Sequence, residues 1–265
     1  METEQLLFEK KNNLGTLVLN RPEKGNSLTP QMLEGIADLF ASLAADDTIR
    51  TVIIRGQGEK AFCSGYDITA LPVKADTDTL AKLGVVNPLE RALQSIEAYP
   101  YPVIAMVNGY AFGAGCELAI ACDMRIGAEG IKMGMPPARI GIVYSAAGLQ
   151  RFIQTIGLRH TREMFYTGNP VAGTRLLDVG IVDYLMARSE LMAFTYDFAA
   201  QISENAPLSL KGTKRIIGLL LQKGSLGETD VQIAESLAAE AFQSDDLKEG
   251  QTAFLEKRKP VFTGR

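Results

Sequence analysis

Apolar residues recur with two different spacings in the first 185 positions. GTLVLN (15–20), TVIIR (51–55) and PVIAMV (102–107) are short runs rich in β-branched residues and bounded by glycine, proline or asparagine, which predicts strands. Between them Met32, Leu33, Ile36, Leu39, Phe40 and Leu43 follow a helical period. Thr29 caps that helix and Pro30 occupies its first turn. Asn87, Pro88 and Glu90 form a capping-box-like start for another helix, with Leu89, Ala92, Leu93 and Ile96 on one face. Alternating strands and helices predict an α/β core with crossover helices. Beyond about residue 185 the strand signals stop, and three helical patterns follow at about 189–204, 207–223 and 228–243. The boundary is set near residue 195, giving an α/β core over 1–195 and a helical region over 196–265. In that region Ile216, Ile217, Leu219, Leu220 and Leu221 make a run wider than one helix face buries, which predicts additional burial between subunits.

Composition narrows the partners. A chain of 265 residues with 46% hydrophobic content can fill a sizeable core. The formal charge of -4 offers no broad attraction to phosphate backbones or anionic lipid, so neither a nucleic acid nor a membrane partner is expected. The start METEQLLFEKKNN lacks a signal pattern, and no apolar run reaches the ~18 residues of a membrane span, so a soluble, cytoplasmic protein is expected. Cys63, Cys116 and Cys122 stand in apolar contexts without a CxxC pair and read as reduced core residues. The only histidine, His160, lies in the polar helix start GLRHTREMF. Triad chemistry would have to use it and a multi-histidine zinc site is impossible, so no metal is expected. Chemistry must rest on carboxylates, tyrosines, lysines or backbone amides.

Two loops suit an oxygen that acquires charge. In NGYAFGAGCELAIACD (108–123) the strand PVIAMV leads into Gly113, Ala114 and Gly115 at the entry to a helix. First-turn amides there lack helical partners, and small residues allow close approach. Glu117 follows among apolar neighbours, where an acid is costly unless it is used. Glycines serving only tight packing, or a dinucleotide fingerprint, are the alternatives, although Leu118 occupies the place of that fingerprint's third small residue. In EKAFCSGYDITALP (59–72), Ser64 and Gly65 precede Tyr66 and Asp67, and a sharp turn there would expose the Tyr66 amide.

With these motifs in order, together with LNRPEKGNSL, FYTGNPVAGTRLLDVGIVDYL and AFLEKRKPVF, the chain resembles the crotonase superfamily along nearly its whole length. The resemblance implies a spiral of ββα turns followed by helices that build a homotrimer or a dimer of trimers. It implies an acyl-CoA thioester as the partner, with coenzyme A as part of the substrate and no separate cofactor. The amides of Tyr66 and Ala114 would hold the thioester oxygen. Arg21, Pro22, Lys24, Ser64, Asp67, Ile68 and Gly113 would bind CoA, joined by Phe254 and Lys257 from the tail of the same or another chain.

The resemblance to hydratases implies two glutamates. Glu117 matches the first, but GMPPARIGIVYSAAG carries Pro137 at the second, and proline neither gives nor takes a proton. Tyr144, a few residues on, can supply a hydroxyl. The combination most resembles the methylmalonyl-CoA decarboxylase branch, from which the chain departs in having Tyr66 where that branch has histidine. A hydratase or isomerase using Glu117 alone, and a CoA-binding scaffold without activity, are the other readings.

Overall fold

In the computed structural model the described residues are 5–67, 69 and 87–265. Ile68, expected at the CoA site, lies outside them. Strand β1 (Leu6–Lys11), which the strand signals above do not include, pairs antiparallel with β2 (Leu14–Leu19) around the two-residue turn Asn12-Asn13. Asn12 takes a φ of 55°, a conformation asparagine tolerates and the tight hairpin turn requires. Helix α1 (Pro30–Ala44) follows, and the Thr29 hydroxyl accepts from the Met32 amide at 3.2 Å as expected of its cap. Next come β3 (Thr51–Gly56), β4 (Ala61–Cys63), α2 (Pro88–Ala98), β5 (Val103–Val107) and β6 (Tyr110–Phe112).

The order continues with α3 (Ala114–Ile120), β7 (Met124–Ala128), β8 (Lys132–Gly134), a 3₁₀ turn at Pro137–Ile140, and α4 (Ala146–Thr167). Helix α4 bends at Gly157, where φ is 73° and ψ 162°, so that GLRHTREMF does begin a new helical stretch. Beyond it lie β9 (Val171–Ala172), α5 (Arg175–Asp178), β10 (Tyr184–Met186), α6 (Arg188–Ser203), α7 (Pro207–Lys223), α8 (Glu228–Gln243) and α9 (Asp245–Glu256).

Two sheets share the core. One has the order β1-β2-β3-β5-β7-β10, parallel from β2 onward, and the other is β4-β6-β8-β9. Strand β5, VIAMV, is buried at every position, which explains its unbroken apolar run: a parallel strand covered on both faces has no polar side. Helix α6 packs on β2, β3, β5, β7 and β10.

That packing corrects the boundary near residue 195. Thr195 is fully buried in the middle of α6, its hydroxyl donating to the Leu191 carbonyl at 2.7 Å. The compositional shift therefore precedes the structural one, because the last covering helix of the sheet is read as the first of the helical region. Among the described residues no helix is long and apolar enough to cross a membrane.

Candidate active site

The small sheet brings the two loops together. Tyr66 bridges Leu28 in parallel: the Leu28 amide donates to the Gly65 carbonyl and the Asp67 amide to the Leu28 carbonyl, both at 2.8 Å. The ladder uses the groups on either side of Tyr66, so the Tyr66 amide faces the opposite way. A Cβ placed on Gly65, the residue before Tyr66, would lie 3.8 Å from the Ala114 nitrogen. Gly65 has a φ of 117° and Gly113 a φ of 51° with ψ of -125°, conformations that favour glycine. Among the described residues neither the Tyr66 nor the Ala114 amide donates to a protein acceptor. The two loops that carry these amides thus meet at Gly65 and Ala114.

The neighbouring glycine has a different task. A Cβ on Gly115 would collide with the Cys63 carbonyl and thiol, so this position lets α3 lie directly against β4. The tight-packing reading therefore holds at Gly115, while Gly113, on the other side of Ala114, has open space where a Cβ would stand. The junction also differs from expectation in one respect: β6, a strand of the second sheet, lies between β5 and α3, and α3 has only seven residues.

Glu117 points inward and is 2% exposed. Tyr144 donates its hydroxyl to Glu117 Oε2, and Arg151 Nη1 donates to Oε1 at 3.0 Å. Burial raises the carboxyl pKa, and the bonds from Tyr144 and Arg151 only partly oppose it. Burial and the Glu117 charge likewise raise the Tyr144 pKa, keeping it a protonated donor. The Tyr144 ring packs edge-on to Phe165, which packs edge-on to Phe152. Pro137 is buried in its 3₁₀ turn.

Arg151 escaped the sequence reading. It also binds both oxygens of Glu90 and both of Glu97, from α2. These bonds outweigh the cost of burial and raise the Arg151 pKa. A signal existed in the sequence: Arg151 shares the inward face of α4 with Gly148, Phe152 and Ile156, an arginine where the period calls for an apolar residue. The capping-box reading of Glu90 is corrected for the same reason. Asn87 caps α2 by accepting from the Leu89 amide at 3.0 Å, while the Glu90 carboxylate turns to Arg151.

The residues expected around CoA fall into two groups. Arg21 Nη1 pairs with Asp67 Oδ2 at 3.0 Å and donates to the Ser27 carbonyl at 2.8 Å, and Ser64 Oγ donates to the Lys24 carbonyl at 3.2 Å. The Ser64 amide reaches the Gly25 carbonyl at 2.9 Å. Arg21, Lys24, Ser64 and Asp67 are therefore linked into one rim, with Arg21, Ser64 and Asp67 half-buried and Pro22 and Lys24 exposed, and Tyr66 follows Gly65 directly after Ser64. Among the described residues no hydrogen bond or ion pair joins Phe254 or Lys257 to that rim. Phe254 is 84% exposed at the end of α9, and the tail beyond is tied to Arg50, ahead of β3, through the Phe262 carbonyl at 3.1 Å.

The family described as enoyl-CoA hydratase/isomerase matches residues 9–265. The chain belongs to the enoyl-CoA hydratase/isomerase family. It is 33% identical to a short-chain-enoyl-CoA hydratase of Clostridium acetobutylicum, covering 98% of this chain and 97% of that one. It is 30% identical to the methylmalonyl-CoA decarboxylase of Escherichia coli, over 96% of this chain and 95% of that one. A crystal structure of an enoyl-CoA hydratase from Bacillus anthracis superposes with a TM-score of 0.90 at 29% identity, covering 98% of this chain and all of the other. The family fixes the crotonase fold and an enzyme acting on acyl-CoA thioesters.

Proposed function

We propose that this enoyl-CoA hydratase/isomerase family member is a single-acid enzyme whose reaction is decarboxylation of a malonyl-type acyl-CoA. The observation that carries the reading is Glu117, a buried carboxylate on the helix that begins at Ala114, bonded to Tyr144, with Pro137 where the resemblance to hydratases puts the second acid. In the two-glutamate arrangement of hydratases one group takes a proton from water and another delivers one to carbon. Decarboxylation requires no base.

In this reaction the bond from the α-carbon to the substrate carboxylate breaks and carbon dioxide leaves. The electron pair passes into the thioester, whose oxygen becomes an enolate held by the Tyr66 and Ala114 amides. The enolate needs one proton at the α-carbon. A buried Glu117 whose pKa is raised holds that proton, gives it up and regains it from water. A protonated Glu117 also lets the anionic substrate enter, since two carboxylates in a dry site repel. Tyr144 donates to whichever carboxylate is charged. Arg21, Lys24 and Ser64 meet the CoA portion.

Hydration or isomerisation with Glu117 as the sole acid and base is the second reading, supported by the resemblance to the Clostridium hydratase. Purified protein given methylmalonyl-CoA and, separately, crotonyl-CoA decides between them. Release of carbon dioxide with unchanged crotonyl-CoA is expected. Loss of the crotonyl alkene with no carbon dioxide from any malonyl-type thioester would overturn the proposal.

A further inference from the structure

Arg151 is spent almost entirely on residues that never reach the amide pair. Nε donates to Glu97 Oε1 at 2.6 Å, and Nη2 to Glu97 Oε2 at 3.1 Å and Glu90 Oε1 at 2.6 Å. Nη1 donates to Glu90 Oε2 at 2.8 Å and to Glu117 Oε1 at 3.0 Å. A guanidinium has five N–H groups, so all are used, and four of them go to the two carboxylates of α2.

The charges do not balance. One guanidinium faces three carboxylates, and if all are ionised the cluster carries two excess negative charges. Bidentate pairing makes Glu90 and Glu97 the better partners. Glu117 has one N–H bond from Arg151 and lies deepest. Of the three, it is the carboxylate that the cluster leaves to accept a proton.

We propose that Arg151 is a positioning residue whose charge is neutralised by Glu90 and Glu97, so that it aims the Glu117 carboxyl without forcing it to stay ionised. This rests on the reading of Glu117 as proton donor and goes beyond it, since it assigns the control of that proton to α2 and α4. The Glu90 pKa is lowered by its Arg151 bonds while that of Glu117 is raised, a division in keeping with this geometry. The other titratable groups around Glu117 are few. Tyr144 donates to it from just ahead of the α4 cap Ser145, Cys116 is its neighbour on α3, and Cys63 stands on β4. Arg125 on β7 is paired with Asp183, and Tyr110 on β6 points toward Gly25. Burial pushes the Cys63 thiol up to about 12, so it stays neutral.

The proposal predicts opposite responses from two single substitutions. Glu97→Gln removes one of the charges that occupy Arg151, freeing it to favour the Glu117 anion. The proton affinity of Glu117 should fall by about tenfold, one pH unit in its midpoint. Arg151→Met removes the one cation bonded to the acid among the described residues, and the midpoint should rise. The midpoint is read without substrate, as the infrared carbonyl band of a protonated carboxyl that is present in each parent and absent from its Glu117→Gln derivative. If Arg151→Met does not fold, Glu90→Gln replaces it and should lower the midpoint as Glu97→Gln does.

Midpoints unmoved by Glu97→Gln and Glu90→Gln, with lowered melting temperatures, would mean that the cluster only clamps α2 to α4, and the proposal would be wrong. Shifts of the same sign in Glu97→Gln and Arg151→Met would also overturn it. Midpoints that move as predicted support it even where the pH profile of turnover does not follow. In that case it is the assignment of Glu117 as proton donor that fails.

Discussion

Glu117 is an acid whose burial makes its charge expensive, which leads to a stability prediction with a definite sign. Its folded pKa lies above the ordinary glutamate value, so its contribution to stability is present below that value and is lost as pH rises through the raised folded pKa. Glutamine does not titrate, and Arg151 keeps Glu90 and Glu97 when Glu117 becomes neutral. Denaturant melts should show the stability of Glu117→Gln relative to wild type increasing with pH across that window. A constant difference would mean that Glu117 is ionised throughout. The same substitution separates the reactions. For hydration or isomerisation, losing the sole acid and base should cost at least about 100-fold in turnover. For decarboxylation, carbon dioxide release should continue while delivery of the proton to carbon slows. Tyr144→Phe should weaken binding of malonyl-type thioesters, seen as a raised KM.

The amide donor can be tested at the start of α3, because Ala114 is its first residue. Proline is tolerated at that position since its missing N–H would have no helical partner. Ala114→Pro should therefore fold and lose about 2.7–4 kcal/mol of transition-state stabilisation, or about 100- to 1,000-fold in kcat, with little change in CoA affinity. A folded variant with normal turnover would show that the amide pair is not where the thioester oxygen sits. Helix α4 offers a second handle. A Cβ on Gly148 would fall 2.5 Å from Tyr144 Cε1 and 2.8 Å from Glu117 Oε1. Gly148→Ala gains up to about 1 kcal/mol of helix propensity and displaces the ring from the acid. Activity should fall without a matching loss of melting temperature. The elements so tested were legible to different degrees. Strands β2, β3 and β5 and helices α1, α2 and α6 to α8 stand out because their periods are long and uninterrupted. Strands β4, β6, β8 and β9 have two or three residues each, too few to establish a period, yet they hold the catalytic loops together. The loops, Glu117 and Tyr144 were readable from motif and resemblance. The Arg151 cluster was not, because its carboxylates lie 34 to 61 residues from the arginine, beyond any local pattern.

Assembly of the whole molecule bears on the one part of the expected site that the single chain leaves apart. Helix α7 buries Leu219 but leaves Ile217, Leu220 and Leu221 about half exposed, and on α9 Phe254 and Leu255 stand almost fully in solvent. Apolar side chains this prominent, spread over successive helices, mark surfaces that another chain covers. We expect a homotrimer or a dimer of trimers, in which Phe254 and Lys257 reach the CoA rim of Arg21, Lys24 and Ser64 on a neighbour. Sedimentation should give a trimer or hexamer at micromolar concentration, and Leu220→Glu with Leu221→Glu should dissociate it, since each places a charge in an apolar contact. If a neighbour completes the CoA site, the dissociated protein should bind acyl-CoA more weakly while retaining the Glu117, Tyr144 and amide geometry, which lies inside one chain. KM would rise more than kcat falls, and Lys257→Ala in the intact assembly should reproduce part of the rise. A wild-type monomer with tight CoA binding, or a dissociated variant whose KM is unchanged, would confine the whole site to one chain and leave Phe254 and Lys257 without a part in it.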